Sequence, residues 1–301
     1  MERQDLAGTA LVVYSALGFG LIPIFALFAY RGGINLPTLL LIRFALTAPL
    51  LLAVIALRRR PAALPRAAWP ALALLGICYT LQSGTYFAAI RYIPVSLATL
   101  ILYSYPAFVV LLAVGVEHAP LAAGTVPALV LSLAGVALVL GASFKGIDLT
   151  GVLLALAASL VYSGYVTLSN RLLRKVAVLP ATAFVCLFCA LAFAGLGAAT
   201  GGLDFGFAPS AWPPILALIL VSTIGAILAF FGGLKRVGPT RAALISMVEP
   251  LFTIGFSMLL FRESLTARQA LGGVLILAGA AWVTASRRPA MSGRRAAPGR
   301  R

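Results

Sequence analysis

Apolar residues follow one another along this chain in ten long runs, each bounded by charge, Gly or Pro. A bilayer core about 30 Å thick is crossed by about 20 apolar residues in a helix, and the runs have that length. Hydrocarbon cannot satisfy an open backbone, so such runs must be helical. The pattern predicts an all-α integral membrane protein with ten transmembrane helices. They lie at about residues 6–30, 36–57, 67–90, 95–115, 120–142, 150–171, 180–200, 212–234, 240–261 and 268–285.

The second half of the chain repeats the first. Equivalent residues recur in order at a nearly constant spacing of 143 or 144 positions. The pairs are Gly8 and Gly151, Pro37 and Pro180, Trp69-Pro70 and Trp212-Pro213, and Pro106 and Pro250. The series predicts two five-helix repeats, residues 6–142 and 150–285. Because five is odd, the second repeat enters the membrane from the opposite side, and two inverted units of this kind are the usual scaffold for alternating access.

Composition and charge strengthen the membrane assignment. Hydrophobic residues make up 62% of the chain and charged residues only 10%, too few to coat a soluble globule. With the N-terminus inside, seventeen Lys and Arg fall on the cytoplasmic side against five outside, which predicts that both termini are cytoplasmic. Residues 286–301 read as a basic, disordered cytoplasmic tail that rests on anionic lipid. The net charge of +16 is spread over these segments, so we expect a lipid bilayer as partner and no nucleic acid.

A few polar side chains interrupt the apolar runs, and such groups face a bundle interior or a water-filled cavity by default. Glu249 lies near mid-membrane, where it is either a substrate-ammonium or coupling site or a buried carboxyl that joins two helices. Arg43 has three interpretations: it binds a substrate carboxylate, pairs with Glu249, or snorkels outward, which is the favoured one. Tyrosines and small polar residues at helical spacing predict an aromatic-lined cavity, with interhelical packing as the alternative. The candidate substrate-binding residues are Tyr79, Gln82, Ser83, Tyr86, Tyr103, Tyr105, Tyr162, Ser163, Tyr165, Ser246, Glu249 and Arg43.

Prolines within the runs mark predicted helix breaks, at Pro23, Pro106 and Pro250. Proline removes a helix hydrogen bond and frees the carbonyl four residues earlier, which is Leu102 for Pro106 and Ser246 for Pro250. Since Pro106 and Pro250 are repeat mates, we expect their helices to meet near the two-fold axis and to line the binding pocket. A tolerated kink with no ligand is the alternative interpretation.

The residues needed for an enzyme are missing. His118 is the only histidine, the seven acids include a single deep one, and the Cys186–Cys189 pair has no second pair beside it. We therefore predict no catalytic residues, no metal and no cofactor. The sequence contains no Walker A pattern, so transport would draw on gradients of solute or ions.

The closing part of the second half resembles the EamA-type transporters of the drug/metabolite transporter superfamily, and the resemblance covers about residues 6–285. In the first half Pro106, Glu117 and Gly135 are its weaker echo, with Tyr105 where the second half has Glu249. Within the superfamily the chain is most similar to bacterial exporters of aromatic and other amino acids. The resemblance implies ten helices in the bacterial cytoplasmic membrane and export of small metabolites. A carrier of another metabolite or drug, and a channel-like protein, remain the alternatives. The residues that carry the resemblance are Gly238-Pro239-Thr240-Arg241-Ala242-Ala243-Leu244, Glu249-Pro250, Phe261-Arg262-Glu263-Ser264-Leu265-Thr266, Gly272 and Gly279.

Overall fold

The computed structural model describes residues 2–57, 64–115, 125–141, 148–172 and 176–286. Throughout these ranges the regular structure is helical, without a strand. Glu117, His118 and the tail from residue 287 onward, for which the sequence made predictions, lie outside the described residues.

Fourteen α-helices make up the described chain. They are α1 (Glu2–Gly20), α2 (Ile22–Arg31), α3 (Leu36–Leu57), α4 (Trp69–Ala89), α5 (Val95–Leu102), α6 (Tyr105–Gly115), α7 (Thr125–Gly141), α8 (Leu149–Leu172), α9 (Val178–Thr200), α10 (Trp212–Ile219), α11 (Ala226–Val237), α12 (Pro239–Ser246), α13 (Glu249–Phe261) and α14 (Ala267–Ser286). Short 3₁₀ turns at Arg66–Ala68 and Pro209–Ala211 lead into α4 and α10.

Six helical stretches of the described chain have the length and apolar composition to cross a bilayer, and two shorter apolar helices accompany them. Large apolar side chains such as Leu259, Val274 and Leu191 point outward from the bundle and are more than half exposed, as a lipid-facing surface requires. The chain is therefore an all-helical membrane protein. The number of ten spans stays a prediction. The six stretches are Leu6–Arg31, Leu36–Leu57, Val95–Leu112, Leu149–Ser169, Val178–Thr200 and Pro209–Val237, and the shorter helices are Val126–Val139 and Glu249–Phe261.

Three of the predicted runs are broken helices. Each break lies two or three residues before a proline, and that proline is the second residue of the following helix: Pro23 in α2, Pro106 in α6 and Pro250 in α13. Proline suits this position because the N–H it lacks would have no partner there. The carbonyl of Leu102, which Pro106 was expected to free, accepts a hydrogen bond from the Ser159 hydroxyl at 3.1 Å. The expected breaks are thus present at all three prolines.

The eighth run contains a feature that the sequence did not predict. Between α10 and α11 the helix widens into a π-helical turn at Leu220–Gly225. Such turns insert an extra residue into a helix and occur often at functional sites.

The largest helix contacts join the two halves of the chain. Helix α7 packs on α14, α3 on α9, α1 on α11 and α4 on α8, and a smaller contact joins α5 to α13. The α7–α14 contact is so close that a Cβ added at Gly135 would lie 2.6 Å from the Gly272 carbonyl oxygen. The core therefore lies between residues 2–141 and 149–286, and any interior site draws on both.

Candidate functional site

A row of aromatic rings crosses the interior of the bundle. From Tyr79 on α4 it passes to Tyr165 and Tyr162 on α8, then to Tyr105 on α6 and Tyr103 just before it. The successive ring centroids are 5.1, 5.9, 4.7 and 6.2 Å apart. Four of these tyrosines are half-buried, and Tyr103 is buried. Five of the predicted tyrosines are thus brought together, and they border space that is not filled by protein.

Glu249 lies at one end of this row, as the first residue of α13. The Tyr103 hydroxyl lies close to its carboxyl group. Tyr86 and Tyr162 are also close enough to interact electrostatically with it. The Tyr86 hydroxyl itself pairs with the Thr99 hydroxyl at 3.0 Å. The predicted carboxyl group therefore lies near three of the predicted tyrosines.

Arg43 lies at the opposite end, beside Tyr79. Its side chain is only 2% exposed, so the expected outward snorkelling is wrong. The guanidinium carbon lies 5.1 Å from the ring centroid of Phe44 and 5.4 Å from that of Phe87, and its Nε donates a hydrogen bond to the Thr223 hydroxyl at 3.3 Å. No ion pair with Glu249 or another carboxylate occurs in the described part of the chain. The helix keeps Arg43 inside because its neighbours offer aromatic faces and a hydroxyl in place of water.

The predicted serines use their hydroxyl protons within their own helices. Ser83 donates to the Tyr79 carbonyl at 2.6 Å, Ser163 to the Leu160 carbonyl at 2.6 Å, and Ser246 to the Ala242 carbonyl at 2.9 Å. Such bonds satisfy a hydroxyl in an apolar environment. The hydroxyl oxygen of each serine can still accept a hydrogen bond from a ligand. Gln82 is buried at the same level of α4.

Several residues of this region were missed by the sequence analysis. Phe44 stacks on Phe193 at 6.0 Å and contacts Tyr79 edge-on at 5.7 Å, which extends the row beyond the tyrosines. Phe residues in apolar runs carry no signal that separates a cavity wall from lipid contact. Thr223 also gave no signal in the sequence, because its contact with Arg43 depends on the π turn.

A cleft of about 800 Å³ opens at one end of the bundle, between the end of α3, the start of α9 and α11. Its walls are mainly apolar, and Lys235 and Arg236 lie at its rim. None of the predicted substrate-binding residues lines it. The lining residues are Ile55, Ala177, Val178, Leu179, Pro180, Leu228, Phe231, Gly232, Lys235 and Arg236. We call this part of the molecule the cleft end.

The opposite end, which we call the sealed end, comprises the turns at residues 32–35, 90–94, 201–208 and 262–266. The Glu263 carboxylate accepts hydrogen bonds from the backbone N–H groups of Val95 and Ser96 at 2.8 and 3.0 Å and from the Ser96 hydroxyl at 2.5 Å. It thereby caps the first turn of α5.

A second group of contacts ties the other two turns of the sealed end together. The Asn35 amide donates to the Gly202 carbonyl at 2.8 Å, and Ala208 N–H donates to the Gly32 carbonyl at 2.9 Å. The Thr38 hydroxyl accepts from Asp204 N–H at 2.9 Å. All of these bonds cross from one half of the chain to the other.

Two comparisons of sequence show what kind of protein this is. The model of the EamA-like transporter family matches residues 6–141 and, a second time, residues 149–285. The chain belongs to the EamA-like transporter family. Among its EamA relatives, the uncharacterized transporter YcbK of Bacillus subtilis (strain 168) is 26% identical over 283 residues, which cover 90% of this chain and 90% of the relative. An uncharacterized transporter of Archaeoglobus fulgidus is 31% identical over 209 residues, covering 68% of this chain and 73% of the relative.

The fold also has a counterpart among solved structures. One chain, described only as the crystal structure of a protein, superposes with a TM-score of 0.63 at 22% identity and covers 94% of this EamA chain and 98% of its own length. The protein is accordingly a membrane transporter and not an enzyme.

Proposed function

We propose that the protein exports amino acids, aromatic ones included, by alternating access through a central site between two inverted five-helix repeats. The observation that carries the proposal is the row of tyrosines between a buried arginine and a partly buried carboxyl group. Arg43 offers a fixed positive charge to a carboxylate, and the rings of Tyr79 and Tyr165 offer faces and hydroxyls to an apolar or aromatic body. Glu249 serves an ammonium group or carries the coupled proton.

The proposed repeats are supported by the way the helices exchange partners. The α1–α11 contact joins the first predicted span to the eighth, and the α4–α8 contact joins the third to the sixth. If each span is replaced by its equivalent in the other repeat, the α1–α11 contact becomes the α4–α8 contact. The contacts α3–α9 and α7–α14 each convert into themselves, as a two-fold axis requires.

The proposed orientation follows the distribution of basic residues. A bacterial cytoplasmic membrane with both termini inside puts the cleft end, with Lys235 and Arg236, on the cytoplasmic side. The sealed end then faces outward. In this proposal the structure corresponds to an inward-facing state, ready to take up a solute for export.

Counterflow in proteoliposomes tests the proposal. Vesicles loaded with unlabelled Phe, Trp, Met, Thr or Lys are diluted into a trace of the labelled amino acid. Accumulation that saturates with concentration and depends on the internal solute is expected for at least the aromatic members. Flux equal to that of empty vesicles for every member would reject the substrate class, and flux that does not saturate would indicate a channel.

The role of Glu249 has its own test, in which Glu249→Gln keeps the size of the side chain and removes its charge. We expect phenylalanine flux to fall or to lose its dependence on a pH gradient, with no change in melting temperature, because Tyr103 can still bond to the amide. Unchanged flux at every pH would show that Glu249 has only a structural role.

A further inference from the structure

The inference concerns Thr223 and rests on the proposed function. The guanidinium of Arg43 is only 2% exposed, and a charge buried to this extent must be compensated locally. Aromatic faces supply part of this compensation. The hydroxyl of Thr223 is the hydrogen-bond acceptor that the described residues give to Nε.

Both hydrogen-bonding capacities of the Thr223 hydroxyl are in use. Its proton goes to the Leu218 carbonyl at 2.8 Å, so a lone pair faces the Arg43 Nε–H. Leu218 is five residues before Thr223, and this spacing arises from the π turn between α10 and α11. The π turn therefore places the Thr223 hydroxyl oxygen as an acceptor for Arg43 Nε–H, and the backbone fixes its direction.

The bond through Nε does not use the two terminal amino groups of the guanidinium, which have the Tyr79 hydroxyl close by. The hydrogen bond through Nε and the aromatic contacts with Phe44 and Phe87 fix the orientation of the guanidinium plane. No carboxylate of the described residues occupies the remaining fork. A carboxylate matches that fork with two parallel hydrogen bonds, which is the strongest arrangement open to arginine.

We infer that Thr223 is a positioning residue that orients the Arg43 guanidinium so that its terminal amino groups bind the carboxylate of an aromatic solute. Thr223 itself does not touch the solute. Selectivity for a carboxylate beside an aromatic ring depends on the bond between Thr223 and Arg43.

Three solutes that differ in one charged group test the inference: L-phenylalanine, 3-phenylpropanoate, which lacks the amine, and phenethylamine, which lacks the carboxylate. Thr223→Val keeps the shape and removes the hydroxyl, and Thr223→Ser keeps the hydroxyl. Ser222→Ala is the matched control, because Ser222 lies on the same turn with a buried hydroxyl that has no partner in the described chain.

We expect Thr223→Val to raise the KM for phenylalanine and the inhibition constant of 3-phenylpropanoate by about tenfold, the effect of one hydrogen bond to a charged group. Inhibition by phenethylamine and the maximal rate should stay within about twofold of the unmodified protein, a range too small to reflect a lost bond. Thr223→Ser and Ser222→Ala should retain the unmodified constants. If Thr223→Val does not fold, Arg43→Lys replaces it, since lysine keeps the charge but lacks the Nε contact, and the same shift in selectivity is expected.

Equal losses for 3-phenylpropanoate and phenethylamine, or a Ser222→Ala effect as large as that of Thr223→Val, would overturn the inference. So would unchanged constants in both Thr223→Val and Arg43→Lys. Failure of the proposed function is visible earlier, because the unmodified protein would then neither transport phenylalanine nor be inhibited by either analogue.

Discussion

The two ends of the bundle are built differently. At the sealed end, a carboxylate, an amide and backbone groups bond from one half of the chain to the other, and Glu263 alone makes three of these bonds. At the cleft end, α11 stands apart from α3 and α9 by a cavity of about 800 Å³ with mainly apolar walls. Two halves that repeat one another would have equal ends if they were arranged with full symmetry. The difference is consistent with the proposed mechanism, in which the halves of an alternating-access transporter tilt toward one end in each state.

The largest expected effect comes from Glu263→Ala, which removes the cap of α5 and all three bonds to Val95 and Ser96. We expect the closed arrangement of the sealed end to lose about 2–4 kcal/mol, since bonds to a charged group are worth about 1.5–3 kcal/mol each and are not additive. Spin labels at the exposed positions Arg91 and Ser264 should move apart in a cysteine-free background. Ser210→Ala, at an exposed position of the 3₁₀ turn Pro209–Ala211, is the control, and an unchanged distance in Glu263→Ala would show that the carboxylate does not hold this end.

A smaller effect is expected for Asn35, which serves two functions. Its side-chain oxygen accepts from Thr38 N–H at 3.0 Å and caps α3, and its amide donates to the Gly202 carbonyl. Asn35→Ala should cost about 1–2 kcal/mol, measured as a lower melting temperature. Asn35→Asp keeps the cap and removes the donor, so it should lose only part of this. If Asn35→Asp and Asn35→Ala were equally destabilised, the cap would contribute nothing.

The smallest effect is expected at Arg31, whose guanidinium lies 5.3 Å from the ring centroid of Phe28 and 5.0 Å from that of Phe261. The residue is exposed, so each contact is weak. Arg31→Gln should weaken the sealed end by about 0.5–1 kcal/mol. Arg31→Lys should recover part of the loss. A loss as large as that of Glu263→Ala would mean that aromatic contacts, and not the carboxylate, keep this end shut.

The broken helices were predictable from the sequence because proline acts locally. Pro23, Pro106 and Pro250 each remove a backbone donor and so favour a break, although Pro49 lies inside the unbroken α3. The tyrosines near Glu249 were predictable for a related reason. Polar groups in a bilayer must face the interior, and helical spacing places several on one side.

Other features depend on contacts between distant residues and left no signal in the sequence. Glu263 was recognised only as part of the run that resembles the family, because its partners Val95 and Ser96 are 167 or more residues away. Arg43 was expected to snorkel because the π turn that brings Thr223 to it has no characteristic residue pattern. Burial of the charge follows from tertiary structure, which overrides the preference of a lone arginine for water.

The most direct test follows both ends of one molecule as substrate binds. Pairs of spin labels are placed at Arg91 and Ser264 on the sealed end, and at Ala177 and Arg236 on the cleft end, all exposed positions. Pulsed electron resonance then measures both distances in lipid vesicles with and without L-phenylalanine. We predict that the two distances change in opposite directions. In molecules whose sealed-end distance lengthens, the cleft-end distance shortens. Distances that stay constant under all conditions, or that lengthen together, would contradict alternating access between the two halves.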